Sequence, residues 1–252
     1  MCGRFSLLAN AHALELFFEL ACIEQQVARY NIAPSQPILM VVAGDGRDKD
    51  PQTNLPDRKV ELVRWGLLPS WVKDPRDFPM LINARSETVN EKASFRASMR
   101  HRRTLVPASG FYEWQRKGRS RRQAYWIRPR DGGIVAFGGL MDRLLAADGS
   151  EIDTGAILTT RANEALARIH DRMPVVIRPE DFSRWLDCKT QEPRDVADLL
   201  EPVDSDFFEA IPVSDLVNKV SNVGPQVQKR VEPVPQTGVD DDDEDDQMPL
   251  FR

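Results

Sequence analysis

Cysteine at position 2 is the residue of this chain around which chemistry could be built. If Met1 is removed, Cys2 carries a free α-amine and a thiol on adjacent carbons, a 1,2-aminothiol that exists at one place only. An N-terminal amine titrates at about 7.7 to 8 against ~10.4 for lysine, so a useful fraction is neutral and nucleophilic near pH 7. With an aldehyde the amine gives an imine, the thiol adds to the imine carbon, and a five-membered thiazolidine closes. A cysteine at position 2 can equally be inert, and three other residues bear on the choice. Glu113 lies within Gly110-Phe111-Tyr112-Glu113-Trp114, where aromatic neighbours would disfavour its charged form and raise its pKa towards proton transfer, unless strand alternation turns it to solvent. His170 precedes Asp171-Arg172-Met173-Pro174 and titrates near neutrality, as an acid–base group or as a structural histidine. Asn83 offers both a donor and an acceptor that would hold an N-terminal residue in place.

Charge adds a partner class. The net charge of −5 conceals an acidic end: residues 240–252 hold seven acids (Asp240 to Asp243, Glu244, Asp245, Asp246) and one base, Arg252, leaving 33 bases and 32 acids, a net of +1, for the body. Between Arg85 and Arg130, thirteen bases stand against three acids, Glu87, Glu91 and Glu113. Such a block is the footprint of a phosphate-backbone partner or, more blandly, a solvated basic face. Gly66-Leu67-Leu68-Pro69-Ser70-Trp71, following Trp65, puts apolar and aromatic residues at a turn. That is either a buried corner or a wedge that supports unstacked bases, worth ~1 to 3 kcal/mol per stacked base.

Cys2, Cys22 and Cys188 lack metal-type spacing, and an odd number argues against a disulfide framework, so a reducing compartment is expected and no metal or cofactor is implied. No apolar run approaches ~18 residues and no signal-peptide pattern opens the chain; the expectation is a cytoplasmic monomer without a membrane partner.

Positioning these residues requires a substantial core, which 252 residues with 41 % hydrophobic content can build. Asn10 is placed to cap a helix carrying Leu14, Phe17, Phe18 and Ala21 at helical spacing. Tyr30 to Gln36 reads as an irregular turn, Pro37–Ala43 and Val60–Trp65 as strands joined by a polar loop, Asn83 to Thr88 as the opening of a short helix, and Ser94–Arg100 as another. Strand patterns follow at Thr104–Pro107, Gly110–Gln115, Ala124–Ile127, Ile134–Phe137, Gly155–Thr160, Val175–Ile177 and Phe207–Val213. Short helices are expected to Arg168, after Pro179 with Phe182, Trp185 and Leu186 on one face, and near Val196–Leu200. This is an α+β pattern rich in antiparallel hairpins, without the alternation of a doubly wound sheet.

Seven segments in order, Met1 to Phe5, Tyr30 to Pro34, Arg64 to Trp71, Asn83 to Glu87, Pro107 to Trp114, Leu158 to Thr160 and His170 to Pro174, resemble the SRAP family of SOS-response-associated peptidases or abasic-site processing proteins. The resemblance implies a single α+β domain around a curved, barrel-like antiparallel sheet with peripheral helices and a basic DNA channel. It also implies recognition of abasic sites in single-stranded DNA and at single-strand/double-strand junctions, with cross-linking through the mature N-terminal cysteine. Carried over by position, Cys2 would be the nucleophile, Asn83 would orient its amine, and Glu113 and His170 would move protons. Arg4, Arg85 and Arg161 would hold phosphates, and Trp65, Gly66, Leu67, Trp71, Met173 and Pro174 would line the channel.

The domain is expected over residues 1–225 and an acidic tail over 226–252. Gln247-Met248-Pro249-Leu250-Phe251 is similar to the pentapeptide with which bacterial repair proteins dock on the sliding clamp, through Gln247, Leu250 and Phe251. A single-strand-binding-protein-like tip and a merely solubilising tail are the alternatives. Two rival functions also stand: a cysteine peptidase using the Cys2 thiol, at minimum on Met1, and a non-covalent reader of single strands.

Overall fold

β-branched and aromatic residues dominate the strand segments, and closing them into a ring leaves no exposed edge in the central sheet. The computed structural model describes residues 2–46, 54–117, 121–145 and 149–233. In chain order the elements are β1 (Phe5–Leu7), α1 (Ala11–Phe18), β2 (Arg29–Ile32), β3 (Pro37–Ala43), β4 (Arg58–Trp65), β5 (Asn83–Arg85), α2 (Arg96–His101) and β6 (Arg103–Ala108). There follow β7 (Gly110–Lys117), β8 (Arg121–Pro129), β9 (Val135–Leu145), β10 (Glu151–Arg161), α3 (Glu164–Ala167), β11 (Arg172–Pro174), β12 (Val176–Ile177), α4 (Phe182–Leu186) and β13 (Phe208–Val213).

Strands β10, β4, β3, β6 and β9 pair in that order, and β9 returns to β10, closing a five-stranded barrel. A second five-stranded sheet, ordered β13-β8-β7-β1-β2, packs beside it. The α+β, barrel-like architecture is therefore as expected, with one correction: the ring is not wholly antiparallel. β10 runs parallel to β4 (Gly155 opposite Trp65) and to β5 (Ile157 opposite Asn83). The core is filled by Phe5, Trp65, Phe111, Phe137, Phe182 and Trp185, all but fully buried.

Local departures have local causes. The Asn10 side chain caps α1 as expected, accepting from Ala13 N–H at 2.9 Å, but Glu19 adopts φ 53° and ψ 51° and ends the helix, so Ala21 lies outside it. Asn83–Arg85, expected to open a helix, is a strand, because β10 supplies a pairing partner that propensity cannot foresee. Tyr30 to Ile32, expected as a turn, pairs with β1 at Phe5↔Ile32. Past residue 225, Val227 is buried, Arg230 bridges Val213, and Val231 N–H donates to Pro212 O, so these residues lie against the domain. The acidic run and the Gln247–Phe251 motif lie outside the described residues. All three cysteines are free, and no described helix is long and apolar enough to cross a membrane.

Candidate active site

β1 brings the start of the chain against the barrel. Phe5 pairs with Phe111 on β7, and Tyr112 N–H donates to Arg4 O at 2.9 Å, which carries Cys2 towards the residue after Tyr112. The Cys2 thiol is fully buried, with Arg4 O at 3.7 Å from Sγ, and Cys2 O accepts from Asn83 Nδ2 at 2.8 Å. Pairing with Ile157 fixes Asn83 on β5, and its Oδ1 is buried with no hydrogen-bond partner. A buried acceptor left open is uncommon and marks a place where a donor belongs.

Glu113 projects from β7, opposite Tyr125 on β8, and is only 3 % exposed. Its Oε2 lies 4.0 Å from His170 Nε2. Burial pushes the Glu113 carboxyl above the usual carboxylate range, with the charge of the N-terminus and of His170 pulling the other way. Burial likewise pushes the Cys2 thiol well up, and the Glu113 charge adds to that push.

His170 is delivered by α3, whose Asn163 cap accepts from Leu166 N–H at 3.1 Å and donates to Val203 O and Asp204 O. Its Nδ1 lies 2.9 Å from Arg172 N–H as an acceptor, a contact that calls for the hydrogen on Nε2, the nitrogen facing Glu113. Cys2 thus touches Asn83, and Glu113 touches His170, although the four come from positions 2, 83, 113 and 170.

The other expected site residues divide. Trp71 is 56 % exposed, stands edge-on to Phe78, and has the half-exposed Met80 close by in sequence. Gly66, at φ +134°, presses its backbone against the Met80 side chain, where a Cβ would meet Cγ at 2.2 Å. Trp65, Leu67, Met173 and Pro174, by contrast, are core: the Trp65 indole donates to Ile82 O at 2.9 Å and packs on Phe5, and Met173 and Pro174 are buried in β11. Trp65, Leu67 and Met173 belong to the main hydrophobic core. Arg85 is exposed. Arg4 is half-buried and committed to Asn31 Oδ1 (2.8 Å) and Val217 O (2.7 Å), and Arg161 pairs with Glu201 at 2.9 Å.

The basic block is also thinner than its count. Arg103 is 2 % exposed and donates to Trp185 O, Met99 O, Asp187 O and Gln191 O; Arg128 pairs with Glu209, Arg100 with Glu192, and Arg102 with Asp142. Sequence reasoning gave Asn31 no role, yet it ties the N-terminal strand to the C-terminal segment by donating to Val217 O, Lys219 O and Asn222 O. An asparagine beside apolar residues was the only signal for it.

A buried thiol near the chain start, an amide on its carbonyl and a carboxyl–imidazole pair are thus mounted together on a closed barrel. The chain belongs to the SRAP family, described as SOS response associated peptidase, which it matches over residues 1–220. It is 36 % identical over 233 residues to "Abasic site processing protein YoqW" of Bacillus subtilis, covering 90 % of this chain and 98 % of the relative. It is 32 % identical to mouse "Abasic site processing protein HMCES", covering 78 % of this chain and 63 % of the relative. A crystal structure of a Bacteroides thetaiotaomicron protein superposes with a TM-score of 0.76 at 26 % identity, over 92 % of this chain and all of that one.

Proposed function

We propose that this chain processes abasic sites in single-stranded DNA, and at single-strand/double-strand junctions, by covalent capture through Cys2 after removal of Met1. The observation that carries the reading is the meeting of Cys2 with Asn83 and of Glu113 with His170, in a chain whose relatives are named abasic site processing proteins.

An abasic sugar is in equilibrium with its open-chain aldehyde. The Cys2 amine adds to the aldehyde carbon, and Glu113 or His170 gives a proton to the departing hydroxyl, which leaves as water. The imine is left protonated and keeps that N–H while the thiol adds to its carbon, the thiol proton returning to whichever of Glu113 and His170 gave one. Aldehyde and aminothiol thus become thiazolidine and water. The raised pKa of Glu113 suits a group that must give a proton and take one back. Burial disfavours the thiolate, which fits the amine attacking first and weighs against the peptidase reading, where a thiolate must open the reaction. Arg85 and the exposed Trp71 are the groups offered to phosphate and base.

The test is a denaturing gel of the protein, its N-terminus checked by mass spectrometry, after incubation with a single-stranded oligonucleotide bearing one abasic site. A shifted band with wild type and none with Cys2→Ala supports capture. No band from protein confirmed to begin at Cys2 overturns it and leaves the peptidase reading. A Met1-retaining variant and Cys2→Ser, which forms an imine without a stable thiazolidine, separate the two further. Docking of Gln247, Leu250 and Phe251 on a sliding clamp is a separate proposal: deleting residues 247–252 should abolish clamp binding and leave cross-linking intact.

A further inference from the structure

Two segments that carry site residues are fastened together by a salt bridge to which the chemistry above gives no part. The Arg172 guanidinium, largely buried, reaches from β11 across β10 to Glu87, just beyond β5, with Nη1 to Oε1 at 2.5 Å and Nη2 to Oε2 at 2.9 Å. On the way Nη2 donates to Thr159 O at 2.6 Å, the same carbonyl that accepts Ser86 N–H at 2.9 Å from the β5 side. The Glu87 carboxyl is held below its ordinary value, chiefly by this hydrogen bonding to Arg172. A bidentate pair of this kind fixes direction as well as distance.

The strap anchors the side chain of Arg172, whose backbone is paired with Arg161 on β10 and whose N–H donates to His170 Nδ1. A second group competes for that nitrogen: Asp171 Oδ1 lies 3.0 Å from Nδ1 and can bond it only if Nδ1 carries the proton. The two contacts demand opposite tautomers of the neutral ring. With Arg172 N–H in place, Nε2 carries the hydrogen and presents it to Glu113 on β7; with the Asp171 bond, Nε2 presents a lone pair to Glu113 instead. We propose that Glu87 and Arg172 are a positioning pair that selects the Nε2–H tautomer of His170 and keeps that ring in register with Asn83.

This inference rests on the reading of His170 and Glu113 as the proton carriers of abasic-site capture, and its test is chosen to fail separately from that reading. Glu87 is exposed enough for Glu87→Ala and Glu87→Gln to leave the fold standing, checked by thermal melting. On the free, mature protein, long-range ¹H–¹⁵N spectra report the tautomer of His170 among only three histidines, assigned with His170→Gln. Wild type is expected as the Nε2–H form, Glu87→Ala as a mixture with the Nδ1–H form, and Glu87→Asp as a partial return. Single-turnover reaction with an abasic oligonucleotide and with glycolaldehyde, which has no phosphate, should slow about tenfold in Glu87→Ala for both, a fraction of the ~10²–10⁴ that general acid–base groups supply.

An unchanged tautomer overturns the inference. So does slowing with DNA alone, since that would make the pair part of the DNA surface. If wild type gives no cross-link at all, the functional reading falls, while the tautomer spectra still decide for or against the strap.

Discussion

Glu113→Gln should make the protein more stable and a far poorer cross-linker. The carboxyl is 3 % exposed and burial raises its pKa, so the folded state holds the proton more tightly than the unfolded chain. For such a group the stability contribution is complete below the unfolded pKa of ~4.3 and is lost as pH rises through the folded value. Each unit of upward shift corresponds to ~1.4 kcal/mol. An isosteric amide avoids that loss, so the variant's melting temperature should equal or exceed wild type at pH 8, the gap closing towards pH 4. An amide neither gives nor takes a proton. Cross-linking should fall ~10²–10⁴-fold, about 2.7 to 5.4 kcal/mol in barrier. The Glu113 charge also adds to the upward push on Cys2, so the pH of half-maximal thiol alkylation should move down in the variant. Differential scanning calorimetry at several pH values, a timed gel assay and alkylation followed by mass spectrometry read the three effects. A melting gap that widens towards acid, or cross-linking at the wild-type rate, would refute the assignment of Glu113 as a buried proton carrier.

Other outcomes follow from single contacts. Arg103→Ala strips four backbone carbonyls of their donor and removes a cation stacked on Trp185, so melting should fall by roughly 8–16 °C for a cost of ~4 kcal/mol, with DNA affinity intact below the transition. A large affinity loss instead would restore Arg103 to the phosphate surface. Gly66→Ala forces a Cβ onto Met80 at φ +134° and should cost ~1–3 kcal/mol in urea titration. Asn10→Ala loses the α1 cap and should cost ~1 kcal/mol by the same method.

The candidate site residues were legible one at a time, from features local in sequence. Cys2 is distinctive by position alone, Glu113 by its aromatic neighbours, and the capping role of Asn10 by spacing. Helix and strand types were readable where periodicity ran for several residues, as in Pro37–Ala43 and Phe208–Val213. The sequence reading failed where a distant partner outweighed local preference: Asn83–Arg85 is a strand because β10 lies alongside, and the burial of Trp65, Leu67 and Met173 follows from closure of the ring.

By itself, then, the sequence determined the family and the candidate chemistry, since seven ordered motifs, a cysteine at position 2 and a carboxyl among aromatics are all read without knowing the fold. Tertiary structure alone decided which charges are free. Arg103 and Arg128 read alike in a basic run, but one is sealed under Trp185 and the other is neutralised by Glu209. It alone brought His170 against Arg172 N–H, and the Arg172 guanidinium against a glutamate 85 residues away. Pairing across such separations is set by strand register, which no local run of side chains encodes.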